Sequence, residues 1–226
     1  MPSPRPTRTF YRDHGKRIFD FICAGWGLLL LSPVLVVVAL AVKCSSRGPV
    51  FFTQERVGKD GKIFRLWKFR SMVAGAERVG PEITSSGDER VTPVGRYLRK
   101  WKLDEMPQLW NVVRGDMSLV GPRPETLSHV QDYTPEQREV LSVRPGITDL
   151  AAIAYRHEEE LLATAKDAAQ FYREVVLPHK LSLNREYIAN LSLPFDLRLI
   201  FRTFKVISAG PPLPADGKAE AQKTPR

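Results

Sequence analysis

Residues 21–42 form the longest uncharged stretch of the sequence, 22 positions without a charged side chain. As one straight α-helix the stretch would be about 33 Å long, enough to cross the hydrocarbon core of a bilayer. Ser32 and Pro33 lie at its middle, where a proline removes a helix hydrogen bond and clashes with the carbonyl of Leu29. The pattern predicts either a kinked spanning helix or a helix that enters the bilayer, breaks at Ser32-Pro33 and turns back.

Basic residues flank this stretch on both sides. They are Arg5, Arg8, Arg12, Lys16 and Arg17 before it, and Lys43, Arg47, Arg56, Lys59, Lys62, Arg65, Lys68 and Arg70 after it. Lysine and arginine favour the cytoplasmic side of a membrane, so a spanning helix satisfies one flank and a returning helix satisfies both. The flanks leave both alternatives open, and a returning helix places Arg8 and Lys59 on the same side. In either case the Ser32 hydroxyl can bond a backbone group that Pro33 frees.

The rest of the chain reads as a mostly helical α+β protein. Strands are predicted at 50–53 and 62–67, joined by the turn residues Gly58-Lys59-Asp60-Gly61. The helical patterns fall at 94–101, 104–113, 134–142, 157–176, 180–191 and 195–208, and Gly115 ends the second of them. The segment 121–125, GPRPE, is predicted to be irregular because prolines flank Arg123.

The domain organisation follows from these patterns. We predict a flexible basic arm over 1–14, the broken membrane helix over 15–43, one folded domain over 44–209 and a disordered tail over 210–226. An ion pair between Lys16 and Asp20 is expected at the start of the membrane helix.

Composition narrows the functional classes only in part. The 226-residue chain has a net charge of +9, which favours an anionic partner: nucleic acid, anionic lipid or a phosphorylated substrate. Its two cysteines, Cys23 and Cys44, lie in or beside the apolar stretch, so a disulfide framework and a zinc site are both disfavoured. The sequence contains no glycine-rich nucleotide-binding fingerprint.

Asp104 and Glu105 are adjacent carboxylates within the densest cluster of charges and aromatic residues, 94–125. Acids at a helix start have a simple role in offsetting the helix dipole. Here, however, the pair is surrounded by the cations Arg96, Arg99, Lys100, Lys102, Arg114 and Arg123. A carboxylate among cations has a lowered pKa, and an ionised carboxylate can bind Mg²⁺ or attack phosphorus. Arg123, between two prolines, presents a rigid guanidinium suited to phosphate.

These residues resemble the bacterial sugar transferases, also called monotopic phosphoglycosyl transferases, of the small kind without extra transmembrane helices. The resemblance covers roughly residues 12–148. It rests on KRIFDFICA, the Ser32-Pro33 pair, GPVFFTQERVGKDGKIFRLWKFRSM, LRKWKLDEMPQLWNVVRGDMSLVGPRP and RPGIT, in that order and spacing. It weakens after Thr148, although LPFDLRLIFRTFKV is similar to the family's last helix.

The resemblance implies transfer of a sugar-1-phosphate from a UDP-sugar to a polyprenol phosphate, usually undecaprenyl phosphate, with release of UMP. It implies that Asp104 is the nucleophile, forms a covalent phosphosugar intermediate and helps to hold Mg²⁺. Glu105 is expected to support it, either by orienting it or as the base for the incoming lipid phosphate. Lys68, Arg99 and Arg123 match positions that the family uses at the active site or for phosphates.

The resemblance also implies a location. The domain 44–209 is expected to be catalytic and to lie on the cytoplasmic face of the bacterial inner membrane, held there by the re-entrant helix. Asp196 matches a family acid, for which a structural role is an equal alternative. Oligomerisation stays open.

The sequence departs from the family pattern after Thr148. Asp149-Leu150-Ala151-Ala152-Ile153 replaces the usual residues, and a longer acidic helical segment follows, which puts the sugar preference in doubt. Within it, His157 and the glutamates 158–160 are typical of a solvated helix face, because adjacent residues point in different directions.

The alternative from another class is a basic, membrane-tethered module that binds anionic lipid or nucleic acid without catalysis. This alternative explains the net charge but not Arg123 between prolines. Nucleic-acid binding would also require exposed aromatic side chains for stacking, whereas Trp101 and Trp110 are predicted on packed helix faces, so no nucleic-acid partner is expected.

Overall fold

The computed structural model describes residues 10–76, 88–156, 158–165 and 167–208. This part of the chain is mostly helical, with two small two-stranded sheets. Its helices and strands are α1 (Lys16–Ser45), β1 (Phe51–Val57), β2 (Ile63–Phe69), α2 (Pro93–Lys100), α3 (Gln108–Arg114), β3 (Ser118–Val120), α4 (Leu127–Gln131), β4 (Gly146–Thr148), α5 (Leu150–Ala154), α6 (Glu158–Ala163), α7 (Ala168–Phe171), α8 (Leu177–Ala189) and α9 (Leu193–Ser208). The predicted tail 210–226 and residues 1–9 of the predicted arm lie outside the described residues.

The apolar stretch forms α1, which starts earlier and runs later than predicted. Helical backbone begins at Phe10, within the segment 1–14 predicted to be a flexible arm, and a π-helical turn Tyr11–Gly15 leads directly into α1. Helix is continuous through Ser32 and Pro33, so the secondary structure is not interrupted there, and a change of helix direction at this pair stays a prediction. Ser32 Oγ donates to the Leu29 carbonyl oxygen at 2.7 Å, so the hydroxyl satisfies the acceptor that Pro33 leaves without an N–H donor, as predicted.

By length and composition alone, the helical segment Tyr11–Ser45 is apolar enough to cross a membrane. Its middle is largely exposed: Trp26, Leu29, Leu30, Val36, Val37 and Leu40 each show more than half of their surface. Burial of these side chains in lipid would remove the cost of exposing them to water.

The predicted β-hairpin is present, with longer strands than the pattern indicated. β1 and β2 pair antiparallel from Phe51 opposite Phe69 to Val57 opposite Ile63. Asp60 has φ 55° and Gly61 has φ 77°, both left-handed, as the Asp-Gly turn residues predict.

A second pairing, β3 with β4, was not predicted. These three-residue strands are parallel, with Ser118 opposite Gly146 and Val120 opposite Thr148. The GPRPE segment leaves β3 without regular structure, as expected. The parallel pair therefore determines where this irregular segment starts.

Two predicted helices are divided in the structure. The helix predicted at 104–113 consists of a 3₁₀ turn, Leu103–Glu105, followed by α3 from Gln108 to Arg114. Pro107 lies between the 3₁₀ turn and α3. Gly115, with φ 93°, ends α3 as predicted. The helix predicted at 157–176 comprises α6, α7 and a π-helical turn, Tyr172–Val176, in its described parts.

Both halves of α1 pack on the domain. In the N-terminal half, Ala24 belongs to a cluster with Leu66, Val112 and Met117. In the C-terminal half, Val38 and Val42 belong to another, with Phe69 and Leu98. A third and larger cluster joins β3 to the C-terminal helices.

Buried polar contacts hold both ends of α1. Arg17 donates to the Val112 and Val113 carbonyl oxygens at the end of α3, at 2.6 and 2.8 Å. Arg70, which follows β2, donates to the Ser46 carbonyl oxygen at 2.7 Å, at the C-terminus of α1. Arg70 therefore caps the helix, and Arg144 has a comparable role, donating to the carbonyl oxygen of Gly115 at 2.9 Å.

Asp196 connects the N-terminal segment to α9 and has a structural position. Fully buried, it accepts hydrogen bonds from Tyr11 and Lys16 at 2.6 Å each and from Tyr187 at 2.7 Å. The predicted Lys16–Asp20 pair is replaced by Lys16–Asp196. Asp20, also buried, accepts instead from the backbone N–H of Leu119 at 3.0 Å.

Candidate active site

Asp104 and Glu105 lie in the 3₁₀ turn between α2 and α3, and both are buried. Lys102 precedes the turn with φ 55°, a conformation that costs a non-glycine residue roughly 1–3 kcal/mol. Neither carboxylate caps α3, whose N-cap residue is Pro107 without a side-chain cap bond. The capping interpretation is therefore wrong, and the backbone strain at Lys102 accompanies a turn that directs two carboxylates inward.

Glu105 is held by two cations from distant parts of the chain. Its Oε1 accepts from Lys68 Nζ at 3.1 Å and from Arg123 Nη2, and its Oε2 accepts from Arg123 Nη1 at 3.2 Å. Burial would raise the pKa of Glu105, but Arg123 and Lys68 hold it well below its ordinary value. Glu105 therefore carries a negative charge whose two oxygens are already engaged.

Asp104 has the opposite electrostatic environment. Burial and the charge of Glu105 raise its pKa, while Lys68, Lys102 and Arg99 act against this shift. The expected lowering of the pKa is thus found for Glu105 and is wrong for Asp104. Asp104 Oδ1 is buried and has no hydrogen-bond donor within the described part of the chain. This is the arrangement expected of a carboxylate oxygen that binds a ligand.

Lys68 reaches the site because β2 is fixed against α3. Asn111 of α3 is fully buried. Its side chain accepts from the Trp67 N–H at 3.1 Å and donates to the Arg65 carbonyl oxygen at 2.8 Å. Burial lowers the pKa of Lys68, against the attraction of Glu105.

Arg123 is positioned through its backbone. Asp149 Oδ2 accepts from the Arg123 N–H at 2.8 Å, and Val57 N donates to the Glu125 carbonyl oxygen at 3.0 Å. Asp149 is fully buried and also caps α5. In the sequence Asp149 stood out only as a departure from the family pattern, and an aspartate directly before the apolar run 150–154 was the available signal for a helix N-cap.

Arg99 and Lys102 line a cavity at this site. The charge of Arg99 favours the ionised form of Asp104. The structure thus brings together Lys68, Arg99, Asp104, Glu105 and Arg123, the five predicted site residues. Ser32 and Pro33 lie apart from them, in the middle of α1.

The cavity has a volume of about 1600 Å³, and its lining residues differ in polarity from element to element. The lining residues of α1 and α9 are mostly apolar, with Cys23, Gly27, Leu31, Leu197, Phe201 and Phe204. Charged and polar lining residues come from the segment after Arg123, from α6 and from α8, together with apolar ones. The site can therefore receive an apolar and a polar ligand in one continuous space.

Trp110, predicted on a packed face of α3, is 48% exposed. The prediction of a packed position is therefore wrong for Trp110, whereas Trp101 is half-buried.

Comparison with known proteins shows which sequences are similar to this chain. A family model described as bacterial sugar transferase matches residues 11–210. The UDP-N-acetylgalactosamine-undecaprenyl-phosphate N-acetylgalactosaminephosphotransferase of Aeromonas hydrophila is 38% identical over 201 residues, 86% of this chain and 44% of the relative. The UDP-glucose:undecaprenyl-phosphate glucose-1-phosphate transferase of Escherichia coli (strain K12) is 42% identical over 197 residues, 83% of this chain and 39% of the relative.

A shorter relative matches over most of its length. The exopolysaccharide production protein ExoY of Sinorhizobium fredii is 34% identical over 207 residues, which are 85% of this chain and 84% of that protein. The chain spans about two fifths of the length of the first two relatives.

Proposed function

The chain belongs to the bacterial sugar transferase family, and from this premise we propose that it transfers a sugar-1-phosphate from a UDP-sugar to undecaprenyl phosphate, releasing UMP. The observation that carries the proposal is the buried Asp104 oxygen without a donor, next to a Glu105 that Lys68 and Arg123 neutralise. Phosphoryl transfer needs positioned cations around the phosphate and a nucleophile in line with the leaving oxygen.

The reaction is proposed to proceed in two displacements at one phosphorus atom. In the first, an Asp104 oxygen bonds to the phosphorus that bears the sugar, and the bond to the bridging oxygen breaks, so UMP leaves with that oxygen. In the second, a phosphate oxygen of undecaprenyl phosphate bonds to the same phosphorus, and the bond to Asp104 breaks. The Asp104 carboxylate is regenerated, and the product is a lipid diphosphate sugar.

Glu105 is best suited to position the cations in this scheme. Both of its oxygens are bound, and its pKa is held well below the ordinary value by Arg123 and Lys68, against burial, so it is a poor proton acceptor. A dianionic lipid phosphate needs no base to attack. Glu105 therefore orients Arg123 and Lys68 toward the diphosphate, and Arg99 adds a further positive charge to the wall.

The site also fits Mg²⁺ held by Asp104. Mg²⁺ commonly takes one or two carboxylates, substrate phosphate oxygens and water. Asp104 Oδ1 has no donor within the described part of the chain, which also contains no group of three acidic, histidine or cysteine side chains for a metal. When bound, Mg²⁺ would neutralise charge on the diphosphate.

Membrane attachment through a returning α1 is part of the proposal. Support comes from the two ends of α1, which contact the same domain through Arg17 at the start and Arg70 at the end. The exposed middle of α1 then lies in one leaflet, and the apolar wall of α1 and α9 receives the polyprenyl chain. We place the catalytic domain on the cytoplasmic face of the inner membrane, where the basic flanks belong.

A test of this function uses purified protein, Mg²⁺ and UDP-glucose, UDP-galactose or UDP-N-acetylgalactosamine without lipid acceptor. We expect an increase in protein mass equal to one phosphosugar, located at Asp104 by peptide mapping. Asp104→Asn should give no adduct, and Asp132→Asn, an exposed acid outside the cavity, should give the wild-type adduct. UMP release that requires undecaprenyl phosphate, with no adduct under any condition, would replace the two-step scheme with direct transfer. No UMP release from any donor, with lipid present, would refute the function.

A further inference from the structure

The polar side of the cavity contains a cluster that the reaction at Asp104 does not use. We name it the α8 chamber: Glu125, Tyr155, Glu158, Lys180 and Asn184, all of which line the cavity. Three of its five members, Tyr155, Glu158 and Lys180, lie within the segment 149–180, where the sequence departs from the family pattern, and Asn184 follows that segment. Most of the chamber therefore comes from the part of the chain that departs from the family pattern or directly follows it.

Lys180 stands at the centre of the chamber. It is 7% exposed, and its Nζ donates to Glu158 Oε2 at 2.7 Å. The ammonium group also lies 5.1 Å from the Tyr172 ring centroid and 5.9 Å from that of Tyr155. A lysine ammonium has three donors, so a pair with Glu158 leaves hydrogen-bonding capacity for a ligand.

Glu125 supplies a negative charge to the cavity lining, within electrostatic reach of Arg123. It is two residues after Arg123 and accepts from Tyr172 Oη at 2.8 Å and His129 Nδ1 at 3.2 Å. Burial would raise its pKa, but His129, Lys180 and Arg56 lower it to about 2. A fixed carboxylate here repels phosphate oxygens and accepts hydrogen bonds from hydroxyl groups.

Asn184 provides the second, independent observation. It lies one helical turn after Lys180 on the same face of α8 and is only 4% exposed. Its Oδ1 is buried and has no hydrogen-bond donor in the described residues. A buried acceptor without a donor lowers the stability of the protein unless an ordered water or a ligand supplies the donor, and a bound ligand can displace such a water.

The chamber therefore needs a ligand that both donates and accepts hydrogen bonds and carries no negative charge on that part. Phosphate oxygens only accept, whereas sugar hydroxyls do both. We propose that the α8 chamber binds the hexose of the UDP-sugar, with a sugar hydroxyl donating to Asn184 Oδ1 and Lys180 donating to sugar oxygens. This inference rests on the proposed function and names the residues that select the sugar.

The position of the chamber agrees with this assignment. Asp149 holds the Arg123 backbone on one side and lies within electrostatic reach of Lys180 on the other. The phosphorus that bears the sugar is placed by Arg123, so the sugar must lie beside it. The cavity lining from α1 and α9 is mostly apolar and suits the lipid.

The test compares Asn184→Leu with wild type, using UMP release with undecaprenyl phosphate and each of the three UDP-sugars. We expect kcat/KM for the preferred donor to fall by about tenfold to a hundredfold. The variant loses one buried hydrogen bond to a neutral sugar hydroxyl, and its leucine is less complementary in shape to the sugar. The inhibition constant of UMP, which lacks the sugar, should stay within about twofold. The melting temperature should stay equal or rise, because leucine removes an acceptor without a donor.

A control variant makes the result specific. Asn190→Leu, an exposed position at the end of the same helix, should behave as wild type in all three measurements.

The outcomes separate this inference from the function itself. Wild-type turnover with an unchanged donor kcat/KM in Asn184→Leu would overturn the chamber and leave the function intact. An equal loss of UMP affinity would assign the chamber to the nucleoside and also overturn it. Wild-type protein that releases UMP from no donor would refute both.

Discussion

Asp104 and Glu105 are neighbours in the chain, yet their surroundings move their pKa values in opposite directions. Burial and the adjacent charge raise the pKa of Asp104, while Arg123 and Lys68 outweigh burial and lower that of Glu105. Pairs of carboxyl groups separated in this way take different roles in catalysis. Here the engaged carboxylate organises the cations, and the one without a donor is available for phosphorus or Mg²⁺.

Glu125 provides a stability prediction at the same scale. Its pKa is lowered from 4.5 to about 2 by His129, Lys180 and Arg56, against burial, so its contribution is complete above about pH 4.5 and is lost as the pH falls toward 2. The contribution to the free energy of unfolding is on the order of 3 kcal/mol, because the pKa of Glu125 is about 2 in place of 4.5. Chemical unfolding of Glu125→Gln should show a correspondingly smaller decrease between pH 5 and pH 3 than wild type.

Glu55→Gln, on the exposed face of β1, should retain the wild-type pH dependence. If Glu125→Gln and wild type lose stability in parallel across this interval, Glu125 is not the group responsible.

At the scale of elements, the parallel pair β3–β4 sets the start of the loop that carries Arg123. A Cβ on Gly146 would lie 2.1 Å from Gly121 N and 2.4 Å from Gly121 O. These are backbone atoms, so the two strands would have to separate. Glycine is required here by close approach of two backbones.

Gly146→Ala should therefore lower the free energy of unfolding by about 2 kcal/mol or more and reduce transferase activity, because Arg123 moves with the strand. Gly25→Ala is the matched control, since its Cβ would meet nothing within 4 Å. Thermal unfolding in detergent and UMP release measure the two effects. Equal behaviour of the two variants would show that β3 and β4 tolerate separation.

α1 supports a second prediction about elements. Because the helix ends are bound to one domain, single cysteines at Asp13 and Lys59, in a chain lacking Cys23 and Cys44, should react from the same side of the membrane. A membrane-impermeant maleimide should label both in inverted vesicles and neither in intact spheroplasts. Labelling of the two cysteines from opposite sides would exclude the returning helix.

At the scale of the whole molecule, Asp196 fastens the two ends of the described chain to each other. Its carboxylate joins Tyr11 and Lys16 near the start to Tyr187 and α9 near the end. α1 and α9 also form the apolar wall of the cavity. The same contact therefore joins the two helices that line the proposed lipid entrance.

Asp196→Ala should cost about 3–5 kcal/mol of unfolding free energy, because it leaves the largely buried ammonium of Lys16 without its partner. The double variant Lys16→Met with Asp196→Leu should recover part of the loss. Glu186→Gln, an exposed acid on α8, should change stability by less than about 0.5 kcal/mol. Urea unfolding in detergent measures the stability of all three variants. A small effect of Asp196→Ala would show that water hydrates the Lys16 ammonium group in place of Asp196.

Prediction from the sequence succeeded where the deciding interactions are local. The hairpin follows from a turn whose Asp and Gly accept left-handed backbone, and the Ser32 bond to Leu29 spans three residues. The pairing of β3 with β4 was missed because three-residue strands show no measurable alternation and their partner lies 28 residues away. The pKa of Asp104 was misjudged because burial, a tertiary property, exceeds the effect of nearby cations.

The sequence by itself determined the apolar helix, the order of the main helices and the hairpin, and the chemical types assembled around Asp104. These depend on side-chain polarity, glycine and proline, which act over a few residues. Only the tertiary structure decided that Glu105 rather than Asp104 pairs with Arg123, that Asp196 holds Lys16, and that Lys180 and Asn184 share a chamber beside the site. Those outcomes depend on which groups lose water together, and burial is decided by packing between residues far apart in the chain.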